Sequence, residues 1–107
     1  MALDANARNG QIVLQLYLAG RAPHSVQARA NLEAILRSYE MPGGYKLEVI
    51  DVLEEPMRAL EAGIFVTPAL VEVSPVRVHI VGALSERDRV ARMLGLAPAA
   101  GDGRVET

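Results

Sequence analysis

The stretch Ile12-Val13-Leu14-Gln15-Leu16-Tyr17-Leu18-Ala19, bounded by Gly10 and Gly20, decides the fold. It is apolar at every position but Gln15. A run of that length between glycines reads as a strand buried on both faces, and such a strand lies inside a sheet. Gly20-Arg21-Ala22-Pro23 follows as a turn, with Pro23 placed to open a helix. From Ser25 to Glu40 the apolar positions Ala28, Leu32, Ile35, Leu36 and Tyr39 recur at three and four. That spacing predicts an amphipathic helix, its outer side carrying Arg29, Glu33, Arg37 and Glu40. Pro42-Gly43-Gly44 stops it, and Tyr45 to Val52 alternates as a second strand. Strand, helix and strand make a βαβ unit, which implies parallel strands and a right-handed crossover.

Beyond this unit the chain predicts a short helix from Pro56 to Ala62, closed by Gly63. Ala69 to Val73 reads as a strand, Ser74-Pro75 as a tight turn, and Val76 to Val81 as an antiparallel partner with one wet face. Ser85 is placed as the cap of a final helix, with Asp88 in an imperfect capping box and Val90, Met93 and Leu94 as the apolar stripe. The order is βαβαββα, a single α/β domain of thioredoxin-like plan over residues 11–96. Residues 1–10 are expected to be a flexible leader and 97–107 a disordered tail.

Composition narrows the chemistry. The 107 residues carry a formal net charge of −2 with the two signs interspersed, which is no footprint for nucleic acid. No apolar run approaches the ~20 residues of a membrane span. The first ten residues lack the basic and apolar regions of a signal peptide, so a cytoplasmic protein is expected. There is no cysteine. Thioredoxin-like redox enzymes carry a C-x-x-C pair between the first strand and first helix, where this chain reads Gly20 to Ser25. Without a thiolate neither reductase nor thiol transferase chemistry is available.

Other candidates are weaker still. Ser25 beside His24 suggests a nucleophile and base, but helix neighbours point about 100° apart. Ser25 reads instead as a helix cap and His24 as exposed. Asp51 is either a buried acid–base group or a strand-end carboxylate meeting loop amides or a basic residue, and the second reading is preferred. His79 alternates with Arg77 on a wet strand face, and one histidine makes no metal site. Gly43-Gly44 lacks the spacing of a phosphate loop. No catalytic residue, metal or cofactor is expected. Thr67-Pro68 opens the third strand, where thioredoxin-like folds commonly place a cis-proline, so Pro68 is the structural cis-proline candidate.

Four motifs in register resemble the KaiB family: Leu16-Tyr17-Leu18-Ala19-Gly20 with Pro23 and Ser25-Val26; Val49-Ile50-Asp51-Val52-Leu53 with Pro56; Thr67-Pro68-Ala69-Leu70; and Gly82-Ala83-Leu84-Ser85 with Arg87 and Val90. The resemblance spans Ile12 to Leu96. It implies a non-enzymatic component of a circadian clock that binds the ATPase ring of KaiC, after which the complex sequesters KaiA. A related domain is the sensor of the histidine kinase SasA, so a free-standing sensor that contacts a kinase is the alternative. The resemblance also implies two folds: a thioredoxin-like monomer, and a tetrameric resting state of order βαββααβ. Homo-oligomers, dimer or tetramer, therefore stand among the expected partners. The expected partner surface is the first helix with its turn (Arg21, His24, Gln27, Arg29) and the second-strand edge (Lys46, Glu48).

The chain departs from the family pattern in places. Gln27 and Ala30 stand where basic residues are usual. Glu48 replaces a lysine associated with KaiA contact, a charge reversal that weakens pairing with an acidic surface. The turn at Ser74-Pro75 is shortened, and Ala83 replaces an aspartate. These changes put KaiA contact in doubt and point to a divergent member serving a KaiC-like ATPase.

Overall fold

The computed structural model describes residues 11–40, 43–74 and 77–98. The first strand, β1 (Ile12–Leu18), is central in a four-stranded sheet. It pairs in parallel with β3 (Tyr45–Asp51) on one side and antiparallel with β4 (Ala69–Ser74) on the other. β5 (Val78–Val81) continues antiparallel from β4 as one edge, and β3 is the other. Helix α1 (Pro23–Ser38) makes the crossover between the parallel strands. α2 (Pro56–Glu61) and α3 (Arg87–Met93) complete the thioredoxin-like order, so this structure is not the βαββααβ arrangement.

The alternation along β1 explains its double burial. Leu14, Leu16 and Leu18 face α1 and α3, packing with Ala28, Leu32, Ile35, Val90, Ala91 and Leu94. Tyr17 faces α2, with Ile50, Ala59, Ile64, Ala69 and Val71. Across the sheet Leu16 lies opposite Val49 and Leu70, and Tyr17 opposite Ile50 and Ala69. The two faces are covered unequally. α1 runs 16 residues, whereas α2 has six and buries only Ala59.

Several local expectations are corrected. α1 ends at Ser38, and Tyr39–Glu40 form a short strand, β2, paired antiparallel with β6 (Ala97–Pro98). Two residues assigned to the tail are therefore paired strand. The leader, residues 99–107 and the turn at Pro75 lie outside the described residues. Ser25 does not cap α1. Pro23 opens the helix with Ala22 as the cap position and no side-chain cap bond, which puts Ser25 inside the first turn, buried. Its Oγ accepts the Ala19 N–H at 3.0 Å. Nor does Ser85 cap α3, which begins two residues later behind Glu86, again without a side-chain cap. Leu84, buried at φ 62, redirects the chain there. The apolar face of α3 is Val90, Ala91 and Leu94, and Met93 is exposed.

Candidate partner-binding surface

The turn between β1 and α1 is built from both ends. Asp51, the last residue of β3, accepts the Gly20 N–H at 3.1 Å and the Leu53 N–H at 2.9 Å on one oxygen. It is the strand-end carboxylate meeting loop amides. Ser25 holds the Ala19 amide from the helix side. Gly20 sits at φ 55, a left-handed conformation, and a Cβ there would lie 3.0 Å from Leu53 Cδ1. Gly20→Ala is expected to destabilise the fold by about 1–2 kcal/mol through the backbone term alone. Thermal denaturation of the two proteins side by side checks it.

This braced turn presents Arg21 and His24 to solvent, and Gln27 and Arg29 follow, exposed on α1. Arg21 and Arg29 line one shallow groove of about 360 Å³ with Leu18, Gly20, Ser25, Val26, Ala30 and Glu33. Arg29 also lies 3.6 Å from Glu33, one turn on. The first turn of α1 holds no acidic residue. Its leading N–H groups, which no intrahelical acceptor can satisfy, add to the positive character of this end.

Lys46 and Glu48 belong to a different side. Both share the strand parity of Ile50 and so project on the α2 face, whereas α1 covers the opposite face. The six residues expected as one surface thus form two groups, one at the turn and one on the β3 edge. Glu48 does not stand alone. The Arg58 guanidinium of α2 donates to both its oxygens, with Nη2 to Oε1 at 2.9 Å and Nη1 to Oε2. Gln15 Nε2 lies 3.5 Å from Oε1, and the Tyr17 hydroxyl donates to Gln15 Oε1 at 2.8 Å. Burial pushes the Tyr17 phenol above its ordinary value.

The hydrogen bonds from Arg58 hold the Glu48 carboxyl below the usual carboxylate range, against an opposing pull from desolvation. A lowered pKa in the folded state means stability present above the unfolded value and lost as pH falls through the folded one. Glu48→Gln is therefore expected to lower the melting temperature at neutral pH. The gap to the parent should close as pH falls through the lowered folded-state value, below which Glu48 is protonated in either state. Melting curves across that range read it directly.

A second feature of the surface was not legible in the spacing. Leu53, Met57, Leu60, Phe65 and Val66 are all exposed, Phe65 at 81% and Leu53 at 70%. They lie on α2 and its flanking loops, just before the Thr67–Pro68 bond, which is cis. The signal that could have found them is the shortness of the Pro56–Ala62 segment. Six helical residues can press only one narrow stripe onto the sheet, and here the small Ala59 takes it. A further groove of about 440 Å³ lies between β5, Leu84 and α3, lined by His79, Glu86 and Arg89 among others. Among the described residues no cluster of His, Cys, Asp or Glu could hold a metal ion. None of their helices is long and apolar enough to cross a membrane.

Comparison with known proteins places this arrangement. The KaiB domain model matches residues 15–96. The chain belongs to the KaiB family. It is 48% identical to the circadian clock oscillator protein KaiB of Acaryochloris marina over 85 residues, covering 78% of this chain and 79% of that one. The KaiB of Synechococcus elongatus is 46% identical over 85 residues, covering 78% and 80%. Among solved structures, the N-terminal domain of Synechococcus elongatus SasA superposes with a TM-score of 0.66 at 27% identity, covering 80% of this chain and 85% of that one. A thioredoxin of Plasmodium falciparum reaches the same score at 15% identity, covering 92% and 83%, which is a likeness of fold. This KaiB-family chain therefore has the thioredoxin-like architecture without the thiols.

Proposed function

We propose that this protein is a non-enzymatic regulator that binds a KaiC-type ATPase in a circadian clock or a signalling system derived from one, in the cytoplasm. The observation that carries the reading is the cysteine-free turn of a KaiB-family chain. The position of a redox pair is taken by Arg21 to Ser25, braced by Asp51 and Ser25. A braced turn loses little conformational entropy on binding. Arg21, His24, Gln27 and Arg29, with the positive end of α1, suit an acidic segment of the partner. Lys46 and Glu48 extend the contact along the β3 edge. With Glu48 engaged by Arg58, this edge offers a carboxylate where the family pattern has a lysine, so KaiA is not among the proposed partners.

The test is a pull-down of the host's KaiC-type ATPases on the immobilised protein, with and without nucleotide. Capture at micromolar concentration in either condition supports the reading, and its absence in both sinks it. A second reading is favoured by the likeness to the SasA domain. On that reading the protein is a free-standing sensor module that contacts a histidine kinase. Capture of a kinase in place of the ATPase would select it.

A further inference from the structure

The outer edge of β5 lies across the sheet from Lys46 and Glu48 and has no partner strand among the described residues. The Gly82 N–H donates to the Pro68 carbonyl at 2.9 Å, which makes those two a hydrogen-bonded pair. In the same register Ile80 and Val78 turn their backbone groups inward, toward Leu70 and Glu72. His79 and Val81 therefore turn theirs outward. A groove of about 440 Å³ runs along these outward groups, with Ile80, Leu84, Val90 and Met93 as its apolar lining. After Gly82 at φ 119 and Leu84 at φ 62 the chain runs into α3 and leaves the β5 edge open. That turn is pinned to α1, because Asn31 donates to the Ala83 carbonyl at 2.8 Å and accepts from Arg87 at 2.9 Å. The charge is one-sided. Arg77 and His79 are exposed along the edge, and Glu86, the one carboxylate lining the groove among the described residues, lies 3.5 Å from Arg89.

We propose that β5 takes an extended, acidic and apolar peptide segment of a partner protein as an added antiparallel strand. In such an arrangement the main chain supplies the affinity, and pockets for alternate side chains supply the specificity. Guest residues opposite His79 and Val81 form hydrogen-bonded pairs with the outward backbone groups. The guest residue between them, opposite Ile80, turns its side chain to the α3 side and into the apolar groove. The residues opposite Arg77 and His79 share the other face, where a carboxylate pairs with the guanidinium and accepts from the imidazole. The residue opposite Val81, also on that face, covers a valine that is 55% exposed. From its N-terminus the guest therefore reads apolar, apolar, acidic, apolar, acidic. A basic guest sets like charges opposite Arg77. The pinned turn keeps the groove wall in place, so little ordering is needed when the groove fills. The site uses none of the residues assigned to the ATPase contact, and it does not depend on that reading.

The test is amide hydrogen exchange of the full chain, followed by NMR, with the capped peptide acetyl-Val-Leu-Glu-Val-Glu-amide added up to millimolar concentration. The His79 and Val81 amides should exchange readily in the protein alone and become protected with the peptide, whereas Ile80 is protected in both. N-methylation of the first glutamate removes the N–H aimed at His79 and should weaken binding about tenfold. N-methylation of the leucine, whose N–H points away from β5, should not. Replacing both glutamates by lysine should weaken binding about fivefold or more. These comparisons all use the unaltered protein, so none depends on a variant that must fold. Absence of binding overturns the proposal. So does binding that leaves the His79 and Val81 amides unprotected, or protection of both before any peptide is added. Equal effects of the two N-methyl groups, or indifference to the exchange of glutamate for lysine, overturn it as well.

Discussion

Leu16→Ala is expected to cost about 3–4 kcal/mol, read as a fall in the midpoint of urea unfolding. Leu16 is fully buried at the middle of the central strand, between Val49 and Leu70 and beneath α1. Truncating it removes the transfer free energy of the lost carbons and leaves a cavity between two strands and a helix, none of which can close it alone. A domain of this size has about 5–15 kcal/mol in total, so the variant should be marginal at growth temperature. Leu16→Met, which nearly conserves volume, should lose under about 1.5 kcal/mol. Val26→Ala, at a side chain 56% exposed on α1, should stay within about 0.5 kcal/mol. An equal loss at Leu16 and Val26 would contradict the placement of the core.

Asp51→Ala is expected to cost about 2 kcal/mol, the scale for removing a charged acceptor from amides that then lack a partner. One oxygen of Asp51 serves both the Gly20 and Leu53 amides. The loss falls on the join between the end of β3 and the turn before α1. Asp51→Asn keeps an acceptor oxygen in place and should lose less. Because the proposed partner surface starts at that turn, Asp51→Ala should also weaken capture of the ATPase more than its cost in stability explains. Comparing capture by Asp51→Ala and by a core variant of equal stability separates the two effects.

These two residues also mark how far the sequence could be read. Leu16 lies in an apolar run between glycines, a local pattern that states both the strand and its central place. The strand end at Asp51 and the left-handed Gly63 were legible for the same reason, because each is fixed by neighbours a few residues away. The start of α3 was not. Asn31 of α1 donates to the Ala83 carbonyl at 2.8 Å and accepts from Arg87 at 2.9 Å, so a residue more than fifty positions away sets the path through Ser85. The end of α1 was lost in the same way. Tyr39 fits the helical stripe by spacing, but its hydroxyl donates to Asp88 at 2.7 Å while its backbone pairs with Pro98. Tertiary contact outweighed propensity at both places.

The partner surface shows the same division. Exposure of Gln27 and Arg29 follows from helix periodicity, and that of Arg21 and His24 from the turn that opens the helix, so all four could be read directly. The separation of Lys46 and Glu48 onto the other face depends on which side of the sheet α1 packs. The engagement of Glu48 by Arg58, and the apolar side chains left outside by a helix as short as α2, depend on packing that no spacing announces.

The most direct test of the account is the affinity of the purified protein for a KaiC-type ATPase, measured for the parent and for Arg21→Glu. The parent should bind at micromolar concentration or tighter, and reversal at Arg21 should weaken binding about tenfold, the scale of a like charge set against an acidic partner surface. No binding by the parent, with or without nucleotide, or binding unchanged by the reversal, would contradict it.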